Sequence, residues 1–351
     1  MNTVLIGVIL LILNTIFSAI APILVKDTDT NVFILAWFIY LVMTILSYIH
    51  LRVFNPNIIK ETYDTLVSGH KIKDIFIYGF IRFINTLLFL FALCFIMPGL
   101  FCSLQSASVI TYIFIYWILY KIPIDKIEWC GIIVFTITLV IISYILLNSK
   151  SYNFEGKSFY KITTFRKTLA VFLIIFDLFI FGFINNYFSE LSNKTYVDIL
   201  IASIGPLLFS TIVILIKYMI TKKFGFPDYK YLIPILLVCL FIYYIPTLLQ
   251  FGIINYAPKL LILIFFIIQI VIGLLLDKYY YKKNISNKEL IYISILIISS
   301  IVCIYGFHVN TKTHTSIDLS TSTGGKNTIV VTPEAEEEEY IYKNVIPIVK
   351  H

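Results

Sequence analysis

The chain has 351 residues, of which 59% are apolar or aromatic and only 13% are charged, with a mean hydropathy of +0.92. A soluble globular domain carries about a quarter charged residues and roughly 45–50% apolar ones, so this composition excludes a cytosolic enzyme, a disordered scaffold and a nucleic-acid-binding domain. The net charge of +7 comes from 27 Lys+Arg set mostly in short gaps between apolar runs. That is the pattern of residues flanking membrane spans, with no basic face for DNA or RNA.

Apolar stretches of spanning length recur along the chain: Thr3–Val25, Asn31–Leu51, Ile75–Phe95, Gly99–Leu119, Ile127–Leu147, Lys167–Tyr187, Tyr196–Ile220, Tyr231–Gly252, Pro258–Leu276 and Glu289–His308. A span needs about 20 residues. Lipid offers no partner for a free backbone group, so each stretch is expected to be a helix. Barrel strands would alternate over about ten residues, and these continuous runs do not. The expected fold is therefore all-α and polytopic, with ten spans. Met1-Asn2 lacks a basic leader region, and Pro22 spoils Ala19/Ala21 as a cleavage site, so the first run reads as a retained span. Cys94, Cys102, Cys130, Cys239 and Cys303 all lie inside apolar runs without a CxxC pair, which reads as packing rather than a disulfide or zinc framework.

The two halves resemble each other. Pro98 opens span four after a very short turn, and Pro258 opens span nine in the same way. Each helix runs into a charged turn, Lys121-Ile-Pro-Ile-Asp-Lys126 in one case and Asp277 through Lys288 in the other, and a further helix closes each half. The basic loop carrying Arg52, Lys60, Lys71 and Lys73 has a counterpart in Lys222, Lys223 and Lys230. The expected organisation is a five-helix repeat over 1–147, a polar linker over 148–166, a second repeat over 167–308 and a disordered polar and acidic tail over 309–351. An odd number of spans inverts the second copy, as in alternating-access carriers with a site between repeats. Lys and Arg are shared almost evenly between the two faces, so charge does not orient the termini.

This order resembles the ten-helix, five-plus-five members of the drug/metabolite transporter superfamily. The resemblance is carried by Phe91-Ala-Leu-Cys-Phe-Ile-Met-Pro-Gly-Leu through Ile132, with Gly131 in the fifth helix, and more loosely by Ala257-Pro-Lys through Tyr305, where Ile291 stands near a usual glycine. Nucleotide-sugar transporters and chloroquine-resistance-transporter-like carriers are the branches it is similar to. The Gly-Ala-Leu-Asn-Lys signature of GDP-sugar carriers is absent. The resemblance implies that spans one, three, four, six, eight and nine surround a central cavity.

Polar residues within the spans are the candidate site. An ionisable group at membrane depth costs roughly 2.5–3.5 kcal/mol on insertion scales, which makes it a functional candidate. Asp177 lies at the middle of span six, and Asn14 holds the matching place in span one, so the two are expected to face each other. Asp177 can carry a proton or bind a cationic group; it can equally be pinned by Arg82 or by Asn and Tyr neighbours to fix packing. Arg82, Asn85 and Thr86 share one face of span three, where the guanidinium either binds an anion or snorkels to the interface. Span four carries Gln105, Ser108 and Tyr112; span eight carries Tyr243, Thr247 and Gln250, with Pro246 between; span nine carries Gln269. Each stripe serves either a polar solute or interhelical adhesion. The functional expectation is a secondary, gradient- or exchange-driven carrier of a small polar metabolite, with proton coupling and a homodimer left open and no cofactor or metal. The alternatives are a non-transporting scaffold or receptor, or an integral-membrane transferase.

Overall fold

The computed structural model describes residues 3–28, 30–54, 60, 72–121, 123–148, 163–187, 196–249 and 259–322. These are helical, with no strand among them. In chain order they form α1 (Thr3–Asp27), α2 (Val32–Phe54), α3 (Ile72–Leu93), α4 (Pro98–Gln105), α5 (Ser108–Tyr120), α6 (Lys126–Asn148), α7 (Thr164–Tyr187), α8 (Tyr196–Thr221), α9 (Leu232–Val238), α10 (Lys259–Tyr279) and α11 (Asn287–Ser322). Eight helical stretches among the described residues are long and apolar enough to cross a membrane. Their outward faces carry large apolar side chains such as Ile9, Phe33, Val140, Ile220 and Ile298. Water would not tolerate so much exposed hydrocarbon, whereas a bilayer requires it. The chain is a multi-pass, all-helical membrane protein.

Local chemistry sets the helix ends. Asn31 Oδ1 accepts from Phe33 N at 3.0 Å and starts α2. Pro98 occupies the first turn of α4, where its missing N–H costs nothing. At the start of α6, Asp125 N donates to Glu128 Oε2 at 2.6 Å; at the start of α11, Ser286 N donates to Glu289 Oε2 at 2.7 Å. Both are the returning half of a capping box.

Two expected spans are not continuous α-helix. The stretch opened by Pro98 tightens at Ser106–Ala107, between α4 and α5, where Ala107 N bonds to Leu104 O and Val109 N to Ser106 O. The cause is a run of small hydroxyl residues. Ser103 Oγ donates to Gly99 O at 2.7 Å and Ser106 Oγ to Ser103 O at 2.6 Å, competing with the backbone ladder. After α9 the helix widens into a π-helical segment, Cys239–Tyr244, and returns to α geometry through Leu249. Pro246 accounts for it, since its ring needs room against the preceding turn and it has no N–H to donate.

Helix α2 packs along α8, and α4 along α10; α3 lies against α7 and α8; α1 meets α10, α4 and α9; and α7 meets α4 and α5. Polar contacts pin the first pair, with Trp37 Nε1 donating to Thr211 Oγ1 at 3.1 Å and Thr44 Oγ1 to Ser203 Oγ at 3.0 Å. Glycines allow the closest approaches: Gly79 faces the backbone of Gly205 and Pro206, Gly273 faces Cys102 and the Pro98 carbonyl, and Gly131 faces Cys303. The most deeply buried side chains include Leu35 and Ile39 of α2, Leu90 of α3, Phe95 of the turn that follows it, and Leu100 and Phe101 of α4.

The chain divides into two units, residues 1–308 and 309–351. Helix α11 continues past His308 to Ser322, beyond the end expected for the tenth span. No Gly or Pro interrupts the sequence between Val309 and Thr323, so nothing stops the helix at the change of composition. The rest of the expected tail, the linker core over 149–162 and Gln250 lie outside the described residues.

Candidate functional site

The polar residues of α2, α3, α7 and the π segment meet in one cluster. Asn85 Nδ2 donates to Asp177 Oδ1 at 2.5 Å and to the Asp177 carbonyl oxygen at 3.2 Å, joining α3 to α7. Asp177 is only 6% exposed. From α2, Tyr40 Oη donates to the Arg82 carbonyl at 3.1 Å and meets the Thr86 hydroxyl at 2.5 Å. The Arg82 guanidinium lies within electrostatic reach of Tyr78, Tyr40, Tyr243 and Asp177. Arg82 is half-buried, and Asn85 and Thr86 are buried.

The hydrogen bond to Asp177 comes from Asn85 of α3 and not from Asn14, the residue expected to face it. The side-chain oxygen of Asn14 is buried without a hydrogen-bond partner. One turn further along α1, the Phe17 ring lies tilted against Phe241 of the π segment, centroids 5.3 Å apart, two residues from Tyr243. Tyr243 Oη and Ser108 Oγ are likewise buried without partners. Buried polar atoms are normally satisfied by protein or water. Three candidates on α1, α5 and the π segment therefore present unused hydrogen-bonding capacity inside the bundle.

The remaining candidates divide. Gln269 Nε2 donates to Gln105 Oε1, so the two span stripes thought separate are joined across α4 and α10. This bond is an interhelical contact of the kind that gives adhesion. Thr247 Oγ1 turns back to the Tyr243 carbonyl at 2.6 Å, satisfying its own helix. The Tyr112 side chain and all of Gln250 lie outside the described residues. In the two helices expected outside the cavity, Thr136, Thr138, Ser294, Ser299 and Ser300 bond carbonyls of their own helix, which removes them as site candidates. Ser143 Oγ is unpartnered.

No protein-family model and no curated protein matches this chain. Its fold is similar to that of a protein of known crystal structure. The likeness covers 86% of this chain and 95% of that one, with a TM-score of 0.53 and 11% sequence identity. At such identity it is a likeness of fold alone, and it extends over most of the helical bundle.

Reading the sequence alone passes over Tyr40 and Tyr78. Both sit in aromatic-rich helices where a tyrosine looks like any other apolar side chain. The available signal is faint: Tyr78 precedes Arg82 by four residues, one helical turn. Among the described residues no group of three His, Cys, Asp or Glu is placed to hold a metal.

Proposed function

We propose that the chain is a secondary carrier of a small polar metabolite, built as ten spanning helices in two inverted five-helix repeats of the drug/metabolite transporter kind. In this reading α4 and α5 together form the fourth span, α9 with the π segment forms the eighth, and the linker 148–166 separates the repeats. The pairing of helices supports it. Exchanging each helix for its counterpart five spans away leaves the packing pattern largely unchanged. The pairs α2 with α8 and α4 with α10 each join a helix to its own counterpart; α1 with α10 is mirrored by α7 with α4 and α5. The capping boxes at the starts of α6 and α11 are a further matched feature.

The observation that carries the function is the cluster joining both halves, in which Asp177, Arg82 and Tyr243 lie within electrostatic reach of one another and Tyr243 Oη is unpartnered, as are the buried Asn14 Oδ1 on α1 and Ser108 Oγ on α5. A carboxylate, a guanidinium and spare amide and hydroxyl groups within apolar walls suit a polar, hydrogen-bonding solute. The bond from Asn85 to Asp177 also favours a packing role, as in a non-transporting scaffold. Purified protein in liposomes decides between them: a panel of amino acids, nucleotide sugars, small amines and organic acids is loaded, and counterflow is measured with and without an acid-side gradient. Saturable uptake of one class is the expected result; no counterflow for any class, from protein that is folded and oriented, leaves the scaffold reading.

The ten-span arrangement is tested separately. It puts the sequons Asn193-Lys-Thr and Asn284-Ile-Ser on opposite faces of the membrane, so at most one is glycosylated. With cytosolic termini, as the resemblance implies, Asn284 is the modified one. Both sugars on one molecule, read by mass after Asn193→Gln and Asn284→Gln controls, show the span count to be wrong.

A further inference from the structure

At the end of the bundle where α1 and α10 finish, charged side chains grip the turn between α3 and α4. Lys26 Nζ donates to the Ile96 carbonyl at 2.6 Å, and Gly99 N donates to Asp277 Oδ1 at 3.0 Å. One short turn is therefore held by its carbonyl from α1 and by its amide from α10. Asp277 is 1% exposed, yet its second oxygen, Oδ2, has no hydrogen-bond partner. Glycine at position 99 admits the carboxylate, because a Cβ there would lie on Asp277 Oδ2. The backbone behind Asp277 is fixed as well, with Lys283 N donating to the Asp277 carbonyl at 3.0 Å.

The charged and titratable groups around Asp277 are Lys26 from α1, Cys102 from α4, Tyr281 and Lys283 from the following loop, and Glu289 from α11. Lys283 is engaged with Glu289 at 2.9 Å in a buried ion pair, and α5, also packed on α10, carries no charged side chain. We propose that Asp277 is a proton-binding site that governs this end of the bundle: with a proton on Oδ2 the grip on the α3–α4 turn is stable, and with the proton released the buried charge drives this end open to water. The inference rests on the alternating-access reading above.

The direction follows from linkage. Asp277 lies in the last turn of α10, beyond the apolar run that ends at Leu276, and burial pushes its carboxyl up to about 6, against the Gly99 amide, Lys283 and Lys26, which hold it down, and with Glu289, which adds to the rise. Opening hydrates the group and returns it toward the usual carboxylate value. The closed form therefore binds the proton more tightly, acid favours closure, and raising pH through 6 favours opening. Between pH 5 and pH 7.5 Asp277 alone would raise the open-to-closed ratio about tenfold; burial makes the Lys26 ammonium shed its proton more readily in the closed form, which opposes this and leaves a net rise of about two- to threefold. The matching end of α5, Trp117–Tyr120, has no acid, so this control acts at one face only.

The experiment is hydrogen–deuterium exchange of amides 94–97 and 99 in the full chain in lipid nanodiscs, corrected for base catalysis of exchange. Protection should fall about two- to threefold between pH 5 and pH 7.5, while Asp277→Asn, a mimic of the protonated form, stays protected throughout. In Lys26→Gln, loss of the neighbouring cation should move the transition to higher pH. If Asp277→Asn does not fold, the wild-type titration and the Lys26→Gln displacement decide. Protection independent of pH in the wild type, an unchanged fall in Asp277→Asn, or disappearance of the transition in Lys26→Gln overturns the proposal. A pH-dependent opening in protein that moves no solute keeps the proton site and removes the carrier reading; counterflow with flat protection does the reverse.

Discussion

Asp177→Asn should abolish acid-driven uptake, by at least about tenfold, in protein that still reaches the membrane and purifies as a single species. The substitution keeps an oxygen to accept from Asn85, whose amide also holds the Asp177 carbonyl. It removes the only acid deep in the cluster and fixes the site in a neutral form. The cost in stability should be small for a buried charge. Breaking a buried ion pair costs about 3–5 kcal/mol when it leaves one charge without acceptors. Arg82, however, also has Tyr78, Tyr40 and Tyr243 around it, so the loss is expected at about 1–2 kcal/mol. Adding Arg82→Gln should recover that stability without restoring uptake. Normal pH-dependent uptake by a well-folded Asp177→Asn protein would remove the carboxylate from the mechanism.

Gly79→Ala should be among the most damaging single-methyl changes in the bundle. A Cβ at this position would sit 2.7 Å from Gly205 Cα, 2.8 Å from its carbonyl carbon and 3.2 Å from Pro206 N. All three are backbone atoms, so relief requires α3 and α8 to move apart. Overpacking of this kind costs about 1–3 kcal/mol, and a rigid obstacle places it at the upper end. Gly182→Ala is the control. There the new methyl meets only the tip of the Ile115 side chain, which can rotate away. Thermal unfolding in detergent should rank Gly79→Ala well below Gly182→Ala, and Gly79→Leu should fail to give a monodisperse protein. Equal melting temperatures for the two alanine variants would show that the α3–α8 crossing is not a rigid contact.

The helices and the mid-membrane acid are legible in the sequence because lipid imposes one rule on every residue of a span. A run such as Val32–Phe54 has no other stable fate, and Asp177 is conspicuous because its surroundings are uniformly apolar. What joins to what is less legible. Helical spacing places Arg82, Asn85 and Thr86 on one face but says nothing of whether Asn14 or Asn85 reaches Asp177. That depends on how α3 rotates against α7. Gln105 and Gln269 are far apart in the chain, and so are Gly99 and Asp277; their meeting follows from α4 lying along α10. Lys26 reads from sequence as a residue flanking a span, and only the path of the α3–α4 turn gives it a carbonyl to hold. Pro246 signals a disturbed ladder without telling whether the helix kinks, breaks or widens.

The widened segment Cys239–Tyr244 also affects how the two halves can be aligned. A π turn bonds residues five apart where an α turn bonds residues four apart, so it behaves as a one-residue insertion in an otherwise regular helix. Downstream of it, every position is displaced by about 100° from where an unbroken helix would put it. If the two halves are repeats as proposed, a residue-by-residue match of span three to span eight slips out of phase here, and self-comparison needs a gap at 239–244. Removing one residue from this segment, Leu240 for instance, would return the helix to plain α geometry and swing the aromatic groups on one side of it to a different neighbour. Ancestral or related chains lacking that residue should show the internal duplication more clearly.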